Sequence, residues 1–289
     1  MAGATGRARA DREERVTLLR DRDFRLVLGA GSSAQTTWGV GEYALMAERL
    51  MPVAEAVVER ANVHRGDRVL DVACGTGNVA VLAAQRGAHV VGVDFEPRLL
   101  ALARARSGPE IEWRQCDVTA MAVESGAFDV VASVFGVMYA FDHAAAAAEL
   151  RRVCRPGGQV VVTAWTPGSF MPSLGGAVGP FLPPLPDGAE PPTRWGSEKE
   201  LQALYERCGL ELEDATRQSV ELGFATVEMA VDVLLRSAGH VMAERDRLER
   251  GGAWDELTAK VGELVRASSG GGNGARLQLD YLLSIARGG

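Results

Sequence analysis

Residues 70–78 read LDVACGTGN, and this stretch decides which fold the sequence predicts. The mostly apolar residues 68–72 fit a short buried strand. Gly75 and Gly77 follow, and because glycine has no β-carbon, the chain can turn tightly there and approach a ligand closely. Residues 78–86 fit a helix that ends at Gly87. The stretch therefore predicts a strand, a glycine-rich turn and a helix, with a ligand held at the turn.

Strands and helices alternate on both sides of this turn. A helix is predicted at 42–61, before the turn. Beyond it, strands are predicted at 89–93, 111–115, 128–134 and 159–165, and helical periodicity predicts helices at 97–106 and 144–154, the last stopped by Arg-Pro-Gly-Gly at 155–158. Such alternation predicts a parallel sheet with helices on both faces.

The second half of the chain is organised differently. Residues 166–196 are so rich in proline and glycine that we expect a substrate-side loop without long elements. A helix at 198–208, a strand at 210–222, helical residues at 226–268, a flexible joint at 268–274 and a final strand at 277–286 follow. The sequence therefore predicts a helical insertion between the last two strands.

Composition narrows the class of protein. The chain has 289 residues, 47% of them hydrophobic, and a formal net charge of -7 without a Lys/Arg cluster. These values favour a globular domain and argue against a nucleic-acid or anionic-membrane surface. Cys74, Cys116, Cys154 and Cys208 lack CxxC or Cys/His ligand spacing, and no secretory signal or long apolar run is present. We expect free thiols, a cytoplasmic location and no metal.

The glycine pattern admits two kinds of cofactor. Gly75, Gly77 and Ala80 satisfy the GxGxxG/A dinucleotide pattern, and Asp94 ends the next strand, where an acid accepts hydrogen bonds from ribose hydroxyls. An NAD-dependent oxidoreductase is therefore one interpretation. Asp71 distinguishes NAD from a cationic cofactor. A pyrophosphate favours a neutral or positive surface, whereas a carboxylate before the loop suits a cationic ligand.

The stretch at 69–78 resembles the first motif of class I S-adenosylmethionine-dependent methyltransferases. Further stretches resemble that family in the expected order: VGVDF at 91–95, CDV at 116–118, FDVVASVFGVMY at 128–139 and RVCRPGG at 152–158. The resemblance covers roughly residues 38–287. It is closest to the branch related to ubiquinone and menaquinone biosynthesis methyltransferases, which includes natural-product tailoring enzymes; WGVGEY at 38–43 and RWGS at 194–197 also resemble that branch.

The resemblance implies an α/β, Rossmann-like three-layer sandwich. Its sheet has seven mostly parallel strands with the last one antiparallel, accompanied by N-terminal helices and a helical cap insertion. The corresponding division is a mobile or helical extension at 1–37, a cofactor-binding core at 38–225 and 275–289, and a helical cap at 226–274. Because a fold does not fix function, a non-methylating protein with this fold is a further alternative.

The resemblance also implies how S-adenosylmethionine is held. Asp71 and the backbone of Ala73, Cys74, Gly75 and Gly77 would bind its methionine part. Asp94 would bind the ribose diol, Phe95 the adenine face and Asp117 the adenine amino group, with Val118 beside them. Ser133 would line the cofactor through its backbone, and Trp38 and Tyr43 would close over it.

The chemistry implied is displacement at a methyl carbon, which needs an aligned acceptor and exclusion of water more than it needs a base. Tyr139, Asp142, His143 and His240 are the candidate bases, and Asp142 or His143 also fits the start of the following helix. Phe170, Met171, Phe181 and Trp195 suggest an apolar site for a small organic acceptor, with O-, N- and C-methylation all open. The oligomeric state is open too, a homodimer being one option.

Overall fold

The computed structural model describes residues 35–184, 188–269 and 274–288. In these residues seven strands form one sheet in the order β3-β2-β1-β4-β5-β7-β6. The strands are β1 Arg68–Val72, β2 His89–Asp94, β3 Ile111–Gln115, β4 Phe128–Val134, β5 Cys154–Trp165, β6 Leu210–Phe224 and β7 Ala275–Gly288. β7 runs antiparallel to β5 and β6, while β1 to β5 are parallel. The predicted α/β fold with an antiparallel last strand is confirmed.

Helices flank this sheet. They are α1 Ala44–Arg49, α2 Met51–Arg60, α3 Asn78–Gln85, α4 Pro97–Arg106, α5 His143–Val153, α6 Phe170–Val178, α7 Glu198–Cys208, α8 Val227–Ser237, α9 Gly239–Ala243, α10 Arg245–Arg250 and α11 Trp254–Ser268. Short 3₁₀ helices lie at Gln35–Val40, Val137–Tyr139, Gly179–Phe181 and Pro192–Arg194. Helices α8 to α11 occupy the predicted insertion between β6 and β7. Residues 1–34 of the predicted extension at 1–37 lie outside the described residues.

The prediction of one helix at 42–61 is wrong, because this segment forms two helices, α1 and α2. The break is at Leu50, whose ψ of 4° is not helical, and Pro52 lies in the first turn of α2. Proline has no N–H to donate and its ring clashes with the carbonyl four residues earlier, so a helix cannot continue through it without a kink. The sequence contained this signal in Pro52.

The expectation that 166–196 lacks long elements is also wrong. α6 spans nine residues of that passage and buries Phe170, Leu174 and Val178, which recur every four residues along one side. Pro172 is its third residue, where a backbone N–H has no acceptor within the helix. The proline therefore removes no hydrogen bond from α6. Apolar spacing decided the structure here, although the composition indicated a loop.

β5 begins earlier than predicted. α5 ends at Val153, as the Arg-Pro-Gly-Gly run indicated, but Cys154 already pairs with Phe128, so that run lies inside β5. The register shifts between Phe128 and Val130, and Gly157 takes a φ of +72°. An irregularity of this kind lets a strand accommodate residues that disfavour regular pairing.

The Trp113 ring on β3 packs over two glycines. A β-carbon on Gly77 would lie 2.2 Å from its Cη2 atom, and one on Gly92 would lie 2.3 Å from its Cζ3 atom. Gly77 also has a φ of +81°, in the left-handed region. Gly77 therefore serves the packing of β3 against the turn as well as the turn itself.

Alanine at Gly77 is expected to lower the free energy of unfolding by roughly 2–4 kcal/mol, from the left-handed backbone and the displaced ring together. Urea unfolding of the ligand-free protein measures this loss. Gly126→Ala is the matched control, because Gly126 has a φ of +61° but nothing within 4 Å of a β-carbon. Equal losses in the two variants would contradict the role given to Trp113.

Candidate functional site

A cavity of about 260 Å³ opens at the carboxyl ends of the central strands. One half is formed by residues that follow β1, β2 and β3, namely Ala73, Gly75, Asp94, Phe95, Glu96, Asp117 and Val118. The other half is formed by residues of α6, α8 and α9, including Leu174, Val178, Leu234, Leu235, His240 and Val241. Trp38, Tyr43, Phe135, Tyr139 and Trp165 also line it. We call the first half, at the strand ends, the strand half, and the second, formed by α6, α8 and α9, the helix half.

The backbone is strained at two residues that line the cavity. Ala73, after β1, has a φ of +50°, and Phe135, after β4, has a φ of +54°. Gly136 follows Phe135 and approaches Ala73 closely, because a β-carbon there would be 2.5 Å from Ala73 Cβ. Non-glycine residues adopt this region at a cost of about 1–3 kcal/mol each, and they cluster at ligand sites. Gly75, with a φ of +55°, completes a turn that brings backbone to the cavity.

Asp94 is held so that it can accept further hydrogen bonds. The Gly75 N–H donates to its Oδ2 atom over 2.7 Å and the Glu96 N–H donates to its Oδ1 atom over 2.8 Å. A carboxylate has about four acceptor positions, so each oxygen can accept one more hydrogen bond from a ligand. Burial raises the pKa of Asp94 to about 6. Two oxygens that can each accept a further hydrogen bond fit the two hydroxyls of a ribose.

Asp71 lies beneath the turn and does not line the cavity. The Ala80 N–H in the first turn of α3 donates to its Oδ2 atom over 2.9 Å, and Asp71 is 2% exposed. Burial raises its pKa to about 7. The structure thus gives Asp71 a bracing contact, and its charge acts on the cavity through the intervening turn. Gly77 and Cys74 likewise lie in the turn without lining the cavity.

Asp117 and Val118 follow β3 and lie on the cavity wall near Phe95. The Thr119 N–H and hydroxyl both donate to Asp117 Oδ1 over 2.8 Å. Asp117 Oδ2 can therefore accept from a ligand, as an adenine amino group would require. The Gln115 side-chain amide donates to the Phe95 carbonyl over 3.1 Å and fixes the backbone beside the aromatic ring.

Glu96 is a cavity residue that the sequence analysis missed. It is 5% exposed, and its carboxylate accepts the Arg98 N–H over 3.1 Å at the start of α4. A β-carbon on Gly39 would lie 2.6 Å from its Oε1 atom. The signal in the sequence was an acid directly before Pro97, which is a common arrangement at a helix start.

Residues 37–43, which we call the strap, join the two halves. The Glu42 N–H donates to the Arg236 carbonyl over 2.8 Å, and the Arg236 guanidinium pairs with the Glu42 carboxylate. On the other side, Gly39 packs on Glu96. Trp38 and Tyr43 project from the strap to the cavity wall, and a β-carbon on Gly75 would lie 3.1 Å from the Tyr43 ring.

Two of the four candidate bases lie on the cavity wall. The rings of Tyr139 and His240 have centroids 4.9 Å and 6.0 Å from the Trp38 ring. Burial raises the pKa of Tyr139 to about 12, despite a smaller lowering by a hydrogen bond with the Trp165 side chain. Burial lowers the pKa of His240. At neutral pH, Tyr139 is therefore a hydrogen-bond donor and His240 an unprotonated imidazole.

His143 and Ser133 lie away from the cavity wall. His143 is fully buried at the start of α5, its Nε2 atom 3.2 Å from the Met138 carbonyl and its ring 5.7 Å from the Trp195 ring. Asp142 accepts the Ala145 N–H as the cap of α5. The Ser133 hydroxyl donates to the Val72 carbonyl and accepts the Val137 N–H. These contacts hold the turn that carries Tyr139.

Of the four apolar residues expected at the acceptor site, Met171 lines the cavity. Phe170 is buried in α6, and Trp195 packs between His143 and Tyr205. Within residues 35–184, 188–269 and 274–288, no three His, Cys, Asp or Glu side chains are grouped as metal ligands would be. Over those same ranges, the helices all fall short of the length and hydrophobicity that a membrane crossing requires.

Known proteins resemble this chain in sequence and in fold. The family described as "Methyltransferase domain" matches residues 69–158. The ubiquinone biosynthesis O-methyltransferase of Pseudomonas aeruginosa is 35% identical over 162 residues, which are 54% of this chain and 69% of that enzyme. The chain belongs to the S-adenosylmethionine-dependent methyltransferase family.

Two further relatives define the extent of this similarity. An uncharacterised protein of Mycobacterium tuberculosis is 44% identical over 172 residues, 58% of this methyltransferase-family chain and 63% of the relative. The chain thus spans less than two thirds of that relative. A Haemonchus contortus phosphoethanolamine N-methyltransferase, solved with S-adenosylhomocysteine, has a TM-score of 0.53 and 17% identity, covering 84% of this chain and 56% of that one. That likeness shows the fold.

Proposed function

We propose that this chain transfers a methyl group from S-adenosylmethionine to a small organic acceptor, such as a natural product or a quinone-like metabolite. The observation that carries the proposal is one continuous cavity with two unlike halves. The strand half offers the carboxylates and exposed backbone that a nucleoside with a cationic side chain requires. The helix half offers an apolar wall for a second molecule.

The residues on the strand half fit the cofactor. Asp94 would accept the ribose hydroxyls, Asp117 the adenine amino group, and Phe95 and Val118 would contact the adenine ring. Gly75 and Ala73 bring backbone to the methionine part, because their positive φ angles turn the chain toward the cavity. Asp71 would act on the positive charge from beneath the turn. When bound, S-adenosylmethionine supplies a methyl group on a positively charged sulfur, which leaves as a neutral thioether.

The remaining residues align the acceptor and exclude water. Trp38 and Tyr43 of the strap line the cavity and would close over the cofactor, and α8 and α9 supply the wall of the helix half. Alignment of two reactants supplies roughly 7–11 kcal/mol of a reaction barrier, whereas a general base typically contributes about 10²–10⁴-fold in rate. We therefore assign most of the catalysis to placement.

The proposal extends to the rest of the chain. Residues 226–274 act as a cap over the acceptor and residues 38–225 with 275–289 as the cofactor-binding core, while 1–37 is an extension. O-, N- and C-methylation are all compatible with an apolar helix half. We also propose a cytoplasmic location, no nucleic-acid or membrane partner, and a homodimer as one option for assembly.

Calorimetry on the purified chain tests the proposal. We expect S-adenosylmethionine and S-adenosylhomocysteine to bind at one site and NAD to give no heat, because a pyrophosphate at the glycine turn would lie close to the Asp71 carboxylate beneath it. Binding of NAD with no response to either sulfur compound would instead favour the oxidoreductase interpretation. Binding of the sulfur compounds without transfer to any acceptor would favour a non-methylating protein.

A further inference from the structure

The two halves of the cavity differ in charge. Its carboxylates lie on the strand half: Asp94 ends β2, Glu96 follows β2, and Asp117 follows β3. On the helix half, α6, α8 and α9 place one ionisable side chain on the wall, that of His240. Burying an ion without a partner costs far more than burying an apolar group. Among the residues that the structure describes, an acceptor with a permanent charge would therefore find no counter-charge on the helix half.

Aromatic rings form the floor between the halves. Phe135 and Trp165 stack with their centroids 3.5 Å apart and their planes 9° apart. Tyr139 also lines the cavity and is 37% exposed. Flat apolar molecules pack well against such rings. The floor thus favours an acceptor with a planar apolar body.

His240 is the group on the helix half that can take a proton. It follows α8 at the point where the strap crosses, and its ring packs edge to face with Trp38. Arg236, four residues earlier, is occupied by ion pairs with Glu42 and Asp232. Burial keeps the imidazole unprotonated at neutral pH, since it lowers the pKa of His240. Tyr139 and Tyr43 keep their protons, because burial raises the pKa of both hydroxyls.

We propose that the acceptor is an uncharged, planar, largely apolar molecule that presents a hydroxyl group to His240, which accepts the hydroxyl proton during transfer. The inference rests on the proposed function and selects among the acceptors that it leaves open. The oxygen–methyl bond forms as the methyl–sulfur bond breaks, and the bonding pair goes to sulfur. The hydroxyl proton moves to the His240 imidazole and then to water.

Binding of four naphthalene probes tests the charge preference. Full-length protein saturated with S-adenosylhomocysteine is titrated with naphthol, its methyl ether, naphthoate and naphthylmethylammonium. We expect naphthol to bind about 10-fold or more tightly than either ion, because the ions lose hydration without gaining a partner. Equal or tighter binding of either ion overturns the proposal, as does failure of naphthol to bind.

His240→Leu tests the hydroxyl contact. Wild type should bind naphthol about 5–10-fold more tightly than its methyl ether, which has no proton to donate, and the variant should lose that preference. The same change at the exposed His64 is the control and should keep it. His240→Gln retains an acceptor atom and should keep part of the preference for naphthol over its methyl ether. A preference that survives in His240→Leu overturns the assignment of His240.

These outcomes are separable from the proposed function. S-adenosylhomocysteine affinity is measured first in every variant, and a value close to wild type shows that the variant is folded. Absence of that affinity in wild type refutes the proposed function itself. If that affinity is retained but the protein binds naphthoate or naphthylmethylammonium at least as tightly as naphthol, only the inference about the acceptor is refuted.

Discussion

Replacing Asp94 with alanine should weaken the binding of S-adenosylmethionine and S-adenosylhomocysteine by roughly 10²–10⁴-fold. Two hydrogen bonds to a charged acceptor are lost, each contributing about 1.5–3 kcal/mol, and about 1.4 kcal/mol corresponds to a factor of ten. The carboxylate also fixes the Gly75 and Glu96 amides, so its removal loosens the turn as well. Calorimetry with both sulfur compounds measures the loss.

Two controls separate these contributions. Asp246→Ala removes an exposed acid on α10, outside the cavity, and should leave affinity unchanged. Asp94→Asn keeps one acceptor oxygen and should fall between alanine and wild type. Because Asp94 is protonated near pH 6, wild-type affinity should also decline as the pH falls through about 6. An alanine variant with wild-type affinity would remove Asp94 from the site.

The sheet and the central turn were predictable because their signals are local. β1, β2 and β4 are short, mostly apolar segments, whereas β3 contains two apolar residues, and the glycines of the turn follow directly after β1. The same holds for Asp94, which ends β2 and lies on the cavity wall as a strand-end acid should. Local pattern determines which residues reach the carboxyl edge of a parallel sheet.

Other contacts depend on packing between distant elements. Trp113 on β3 covers Gly77 and Gly92, which belong to two other elements, and no spacing in the sequence records that contact. His143 occupies a position after β4 that suits a catalytic residue, yet its side chain turns into the protein and meets Trp195 from a segment about fifty residues later. Periodicity cannot give the direction of a side chain at a helix start.

Asp71→Asn should stabilise the ligand-free protein and weaken cofactor binding at the same time. The pKa of Asp71 is raised from 3.8 to about 7, mainly by burial, with the Ala80 hydrogen bond opposing this and the Asp94 charge adding to it. Between these pH values the unfolded chain has lost the proton and the folded one keeps it. Folding stability therefore falls as the pH rises through this window, and the full penalty applies above about pH 7.

Asparagine removes that penalty without losing the bracing contact, because its amide oxygen can accept the Ala80 N–H. Each pKa unit corresponds to about 1.36 kcal/mol, so we expect a gain of roughly 2–4 kcal/mol in the free energy of unfolding at about pH 8 and none below about pH 4. Urea unfolding at both pH values measures it. Lower stability of Asp71→Asn at the higher pH would contradict the destabilising effect assigned to the buried charge.

The same charge should assist a cationic ligand. Because a positive sulfur above the turn favours ionised Asp71, binding of S-adenosylmethionine near pH 7 should release protons, visible as a dependence of the binding heat on the ionisation enthalpy of the buffer. Asp71→Asn should bind the cofactor more weakly and lose the part of that dependence due to Asp71. The neutral thioether product should lose less affinity than the sulfonium, since it carries one positive charge fewer. Equal losses for the two compounds would show that Asp71 acts only as a brace for α3.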